Sequence, residues 1–167
     1  MSGFTEQSLP MTTWRNLVIV IDNGRAPAHA YASHGTAMDR LAERYPGNIG
    51  RLVVIPADAS PPTEEARRAI NTILERHAHS LKGVVCVVEG TGFQSAVVRA
   101  TLTTMTFTLR KMRGWKVVAH ADEGLALLVA RTSSASELET IDLGQGRNAL
   151  AALRSPATAA QSTARVA

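Results

Sequence analysis

The sequence predicts an α/β domain on a small, largely parallel sheet of four or five strands, and three observations carry that prediction. Short runs dominated by Val, Ile and Leu recur at residues 17–21, 51–56, 83–89 and 116–119. Such unbroken runs mark strands buried on both faces, the condition of a parallel sheet, rather than strands with one wet face. Segments of helical spacing lie between the runs, and the connections are short, so each unit reads as a strand, a right-handed crossover helix and the next strand. The length of 167 residues suits one domain.

Taken in order, residues 1–13 (MSGFTEQSLPMTT) show no periodicity and contain Gly3 and Pro10, which predicts a loose leader. Residues 4–9 are an alternative short edge strand. Trp14 opens WRNLVIVIDNG, in which the 17–21 run is the first interior strand and Asp22-Asn23-Gly24 ends it. Asn-Gly is a turn signal, but no partner strand follows, so a hairpin there is not expected. Residues 27–44 carry an apolar stripe of Ala30, Ala37, Met38 and Leu41, stopped by Pro46-Gly47. After the 51–56 strand, the DASPPT connection leads to Thr63, a candidate N-cap followed by Glu64 and Glu65 at the positive end of the next helix. That helix is expected to bury Ala66, Ala69, Ile70, Ile73, Leu74 and Ala78 and to turn Arg67, Arg68, Glu75 and Arg76 to water. A third strand, a long helix over 93–112, a fourth strand and a shorter helix opened by Asp122 and Glu123 complete a domain over 14–130. Residues 131–167 are expected to be a weakly structured extension ending in a flexible tail, because PATAAQSTARVA offers little apolar area to offset its ordering entropy.

The long helix is unusual in composition. Arg99 is its only charge between Glu89 and Arg110, and Thr101, Thr103, Thr104, Thr106 and Thr108 stand where a solvated helix would carry Glu or Lys. One side must pack on the sheet; the other is too apolar for simple solvation. The expected interface, formed with a second copy or another protein, uses Val98, Thr101, Thr104, Met105, Thr108 and Met112.

Composition excludes several classes. The formal charge is +4, but the arginines are dispersed and do not interleave with aromatics, which argues against a nucleic-acid partner. The single cysteine, Cys86, lies inside VVCVV and reads as an inert core thiol. No apolar run reaches the roughly 20 residues a membrane span needs, and no signal peptide is evident, so a soluble cytoplasmic chain is expected.

The order of elements, the Trp-Arg-Asn opening, the proline-rich turn into EEARRAI and the segment VVEGTGFQSAVVRATLTTM together resemble bacterial proteins of the STAS-like group, the fold of the anti-sigma-factor antagonists. The resemblance covers residues 14–129. It implies a small sheet with helices largely on one side, action through protein association, and a phosphorylatable Ser or Thr at the start of the helix after the second core strand. Here that region is DASPPTEEA, with Ser60 and Thr63 as candidates, although the group's Asp-Ser-Ser-Gly is matched only in part. A phosphate there would meet Glu64 and Glu65 with like charge.

For chemistry, the turn Glu89, Gly90, Thr91 and Gly92 with Gln94 follows a buried strand and precedes a helix, where backbone N–H groups could receive an anion. It lacks the third glycine of a dinucleotide fingerprint and a phosphate-loop lysine. Five histidines show no metal-ligand spacing, and Ser95 has no nucleophile-elbow context. No metal, cofactor or catalytic constellation is expected. The preferred expectation is a non-enzymatic interaction or signalling module that self-associates through the 93–112 helix; the alternative is a small-ligand or nucleotide-binding domain using the 89–94 turn.

Overall fold

A computed structural model describes residues 9–108 and 114–155. Five strands, β1 (Met11–Trp14), β2 (Leu17–Ile21), β3 (Ile49–Ile55), β4 (Leu81–Val88) and β5 (Trp115–Val118), form one sheet in sequential order. β1 pairs antiparallel with β2 and all other pairs are parallel. The helices are α1 (Ala32–Arg44, entered through a 3-10 turn at Ala28–Tyr31), α2 (Glu64–Arg76), α3 (Phe93–Thr108), α4 (Ala121–Thr132), α5 (Ala135–Leu138) and α6 (Leu143–Arg154).

Sequential parallel strands have a direct consequence. Each right-handed crossover steps the same way across the sheet, so α1, α2 and α3 fall on one face. Burial agrees: Met38, Leu41, Ile70 and Leu74 pack with Val18, Val20 and Val84, while Val98 and Leu102 of α3 pack with Val53, Cys86 and Val88. The residues of opposite parity, Leu17, Ile19, Leu52, Val54, Val85 and Val87, meet Leu125, Leu128, Val129 and Leu150 of α4 and α6. Gly124 lets α4 settle close to the sheet, since a Cβ there would stand 2.8 Å from Leu52 Cδ1.

The five-stranded, mostly parallel α/β architecture agrees with the expectation, and two boundaries correct it. The edge strand lies at Met11–Trp14, so that it takes in the last three residues of the expected loose leader, and Leu9 beside it is 4% exposed. Residues 4–8 lie outside the described residues. A two-residue turn joins β1 to β2, with Arg15 in the left-handed region at φ 54°. The hairpin therefore precedes the 17–21 strand, and Asp22-Asn23-Gly24 instead opens a crossover. Gly24 is required there, because it has φ 73° and a Cβ would collide with the Ser60 carbonyl oxygen at 1.7 Å.

The second correction concerns residues 131–155. Ser134 and Glu137 form a capping box at α5, and Asp142 caps α6 by accepting from Gly144 N. Leu150 is 5% exposed, and Gly146 packs against the Trp14 ring. Arg147 bonds Asp122 at 2.8 Å and Arg154 bonds Glu89. α6, with Leu143, Ala149, Leu150 and Leu153, is thus a helical cover for one sheet face. The expected tail, 156–167, lies outside the described residues.

Candidate functional site

Sequential order removes the usual ligand crevice of an open α/β sheet. That crevice forms where the strand order reverses and neighbouring crossovers leave on opposite faces. No such reversal separates β2, β3, β4 and β5. The 89–94 turn is also occupied by the chain itself. Arg99 donates to Val88 O at 3.1 Å and Gly90 O at 2.8 Å, Ser95 Oγ donates to Glu89 O at 3.0 Å, and the Glu89 carboxylate meets Arg154. Gly90 has φ 83°, and a Cβ would stand 2.7 Å from that of Ala57, so this glycine serves a tight turn. Thr91 and Gly92 are exposed, and Gln94 lies in the first turn of α3.

Of the other predicted positions, Thr63 caps α2, its hydroxyl accepting from Ala66 N at 3.2 Å. Ser60 is half-buried and its N–H donates to Asn23 O at 2.9 Å. Val98 is 4% exposed and faces the sheet, so it anchors α3 rather than presenting a partner surface. Thr101 is half-buried. Thr104, Met105 and Thr108 lie on α3, and Met112 lies outside the described residues.

The chemically distinctive cluster was not among the predicted sites. Arg51, in the middle of the sheet, is 2% exposed and points to the α1–α3 side, as the alternation of β3 requires. Its Nε donates to His34 Nε2 at 3.0 Å. His34 is fully buried, and burial, with Arg51 and His77 adding to it, pushes its pKa from 6.5 down to about 2. The ring is therefore neutral, and because Nε2 accepts, its proton sits on Nδ1, which is buried without a partner. Asp22, just after β2, accepts from Gly24 N at 2.8 Å and from Tyr31 Oη at 2.8 Å. Burial, reinforced by Asp22, holds the Tyr31 phenol protonated well above its ordinary range. Burial also pushes the Cys86 thiol up to about 11 against the opposing pull of Arg51, so it is a thiol and not a nucleophilic thiolate at neutral pH. Burial draws the Arg51 pKa down, opposed by Cys86, Asp22 and Tyr31, but a guanidinium starts high enough to keep its charge.

Asp22, Arg51 and Cys86 border a cavity of about 40 Å³ between α2, α3 and the sheet, whose polar lining also includes Ser60, Thr101 and Trp115. The signals available in the sequence were an arginine opening an otherwise apolar strand and an aspartate directly after one. Neither reveals a partner, because His34, Tyr31 and Trp115 arrive from three other elements.

Among the described residues, no group of three or more His, Cys, Asp or Glu is placed to hold a metal, and no helix is long and apolar enough to cross a membrane. No protein-family model matches the chain, and neither a curated protein nor a solved structure matches it. Its architecture is that of a small α/β domain with a mixed, mostly parallel five-stranded sheet and flanking helices, Rossmannoid in the general sense.

Proposed function

We propose that the chain is a non-enzymatic association module of STAS-like type that pairs with a second copy of itself through the outer side of α3. The observation that carries this reading is the treatment of the one charge in the helix. Arg99 is turned back onto the carbonyls of Val88 and Gly90, which leaves Ala96, Val97 and Ala100 as exposed outward positions of the first turns. A helix with one face on a sheet ordinarily shows charged residues on the other. The same surface on two copies is self-complementary, the simplest closed assembly. The hydrogen bonds that fill the glycine turn, and the lack of a strand-order reversal beside it, favour association over a ligand at 89–94.

Size-exclusion chromatography with light scattering tests the proposal. The wild-type chain is expected at twice its 17.8 kDa mass, falling to the single-chain mass on dilution. Val97→Glu with Ala100→Glu places like charges opposite their copies. It should raise the dissociation constant roughly 100-fold, since such juxtaposition costs several kcal/mol. Both positions are exposed, so the melting temperature of the separated chain should hold. A wild-type monomer at every concentration, or a dimer untouched by the double substitution, overturns the reading.

A further inference from the structure

We infer that the cavity under α2 and α3 is a binding site for a small aliphatic carboxylate of two to four carbons, held by the Arg51 guanidinium and the Trp115 indole N–H. Four observations lead there.

Arg51 borders the cavity and is 2% exposed, and among the described residues its one side-chain hydrogen bond leaves from Nε to His34, with no carboxylate within 4 Å. The Nη groups, with up to four N–H donors, thus make no hydrogen bond to an acceptor among the described residues. Trp115 borders the same cavity, and its Nε1 is buried with no acceptor. Buried donors are ordinarily paired, and a set left open in one cavity calls for an acceptor from outside.

The nearest protein anion does not supply it. Asp22 lines the cavity, but its two oxygens already accept from Gly24 N and Tyr31 Oη. It moderates the charge of Arg51 through space without occupying the donors.

The remaining walls define the rest of the ligand. Val53, Ile55, Ile70, Val98 and Leu102 are aliphatic and buried. Phosphate or sulfate would surrender its hydration to these walls and stand near Asp22, a cost that an apolar tail avoids. A carboxylate matches the planar guanidinium fork and leaves its alkyl end to the walls.

Volume sets the length. A cavity of about 40 Å³ holds roughly three waters at the minimum space each needs, the scale of acetate or propionate, with one further carbon as the upper limit. The cavity lies on the inner side of α3, away from the exposed positions Ala96, Val97 and Ala100.

The experiment is a titration of the ¹⁵N-labelled full-length chain with sodium propionate at pH 7, with sodium chloride holding ionic strength constant. Two tryptophans give two indole signals, and Trp115→Phe assigns them. The Trp115 indole resonance should move downfield and saturate, while that of Trp14, on the opposite face against α6, stays in place. Propionamide and inorganic phosphate should leave both unmoved, and hexanoate should bind more weakly than butyrate. Arg51→Met should abolish the response. Trp115→Phe, followed by the rise in melting temperature with propionate, should weaken binding roughly tenfold, the loss expected for one hydrogen bond to a charged group. That variant keeps an aromatic ring at the position and the buried charge, so it decides the matter even if Arg51→Met does not fold. An unmoved Trp115 signal, an equal response to propionamide or phosphate, or unchanged propionate affinity in Trp115→Phe overturns the assignment.

Discussion

The two faces of one sheet are built to different ends. Towards α4 and α6, Leu17, Ile19, Leu52, Val54, Val85 and Val87 are each at most 1% exposed and form an aliphatic layer. Towards α1, α2 and α3, the intervening residues include Arg51, Cys86 and Trp115, joined by His34, Tyr31 and Asp22, and a cavity remains among them. The strands are the same, and only parity differs. One face supplies burial free energy, and the other gives up some of it to hold a cation in the interior, where a charge is costly unless it serves packing specificity or a ligand.

The largest test of that contrast compares one residue from each face. Leu128 is fully buried in the aliphatic layer, so Leu128→Ala should lose about 2–5 kcal/mol of unfolding free energy in urea denaturation. Arg51→Met keeps an unbranched apolar stem and removes the cost of desolvating a guanidinium. It leaves Asp22 with both of its hydrogen bonds and forfeits the bond to His34. Its stability should stay within about 1.5 kcal/mol of the wild type. A loss as large as that of Leu128→Ala would make Arg51 a structural keystone and erase the division of labour.

A smaller effect should separate the faces by pH. His34 has a folded pKa of about 2 against 6.5 ordinarily, so below 6.5 the unfolded chain takes up a proton that the folded chain refuses. Its contribution to stability is therefore complete above pH 6.5 and falls by about 1.4 kcal/mol for each unit below it. His34→Gln, which retains an acceptor for Arg51, should remove about 2 kcal/mol of the stability difference between pH 7.5 and pH 5. Leu128→Ala should leave that slope unchanged. Asp39 acts in a lower window: burial raises its pKa, but the hydrogen bonds and charges of Arg76 and His77 together outweigh this and hold it below 3.8, so its contribution fades only in stronger acid. If His34→Gln keeps the wild-type slope between pH 7.5 and pH 5, the buried imidazole is not its source.

This contrast also explains what the sequence disclosed. The interior strands were legible because both faces of a parallel strand are buried, and an unbroken run of Val and Ile is a local signal. α2 was legible from its cap and amphipathic stripe. β1 was not, because MTTW is a short antiparallel edge whose identity depends on its register with β2. α6 was not, because LGQGRNALAALR has a thin stripe that becomes meaningful only against Trp14 and α4. Arg51 was read as the first residue of an apolar run, and its burial depends on His34 from α1 and on a parity that strand pairing establishes. A cavity has no local signature at all, since its lining comes from the sheet, two helices and two loops.

The smallest effect concerns the rim of the polar face. Ser60 and Pro62 border the cavity, and Thr63 immediately follows them, closing the α2 N-terminus by accepting from Ala66 N at 3.2 Å. Thr63→Ala removes one acceptor at an exposed helix end, which should cost about 1 kcal/mol. Thr63→Asp supplies both a cap oxygen and a negative charge at the positive end of the helix, although Glu64 and Glu65 already crowd that end. Its stability should therefore lie within about 0.5 kcal/mol of the wild type. The order alanine below aspartate in urea denaturation marks Thr63 as a structural cap. Equal losses would mean that the added charge cancels the cap, which is how a phosphate at Thr63 would loosen this rim of the cavity without touching the aliphatic face.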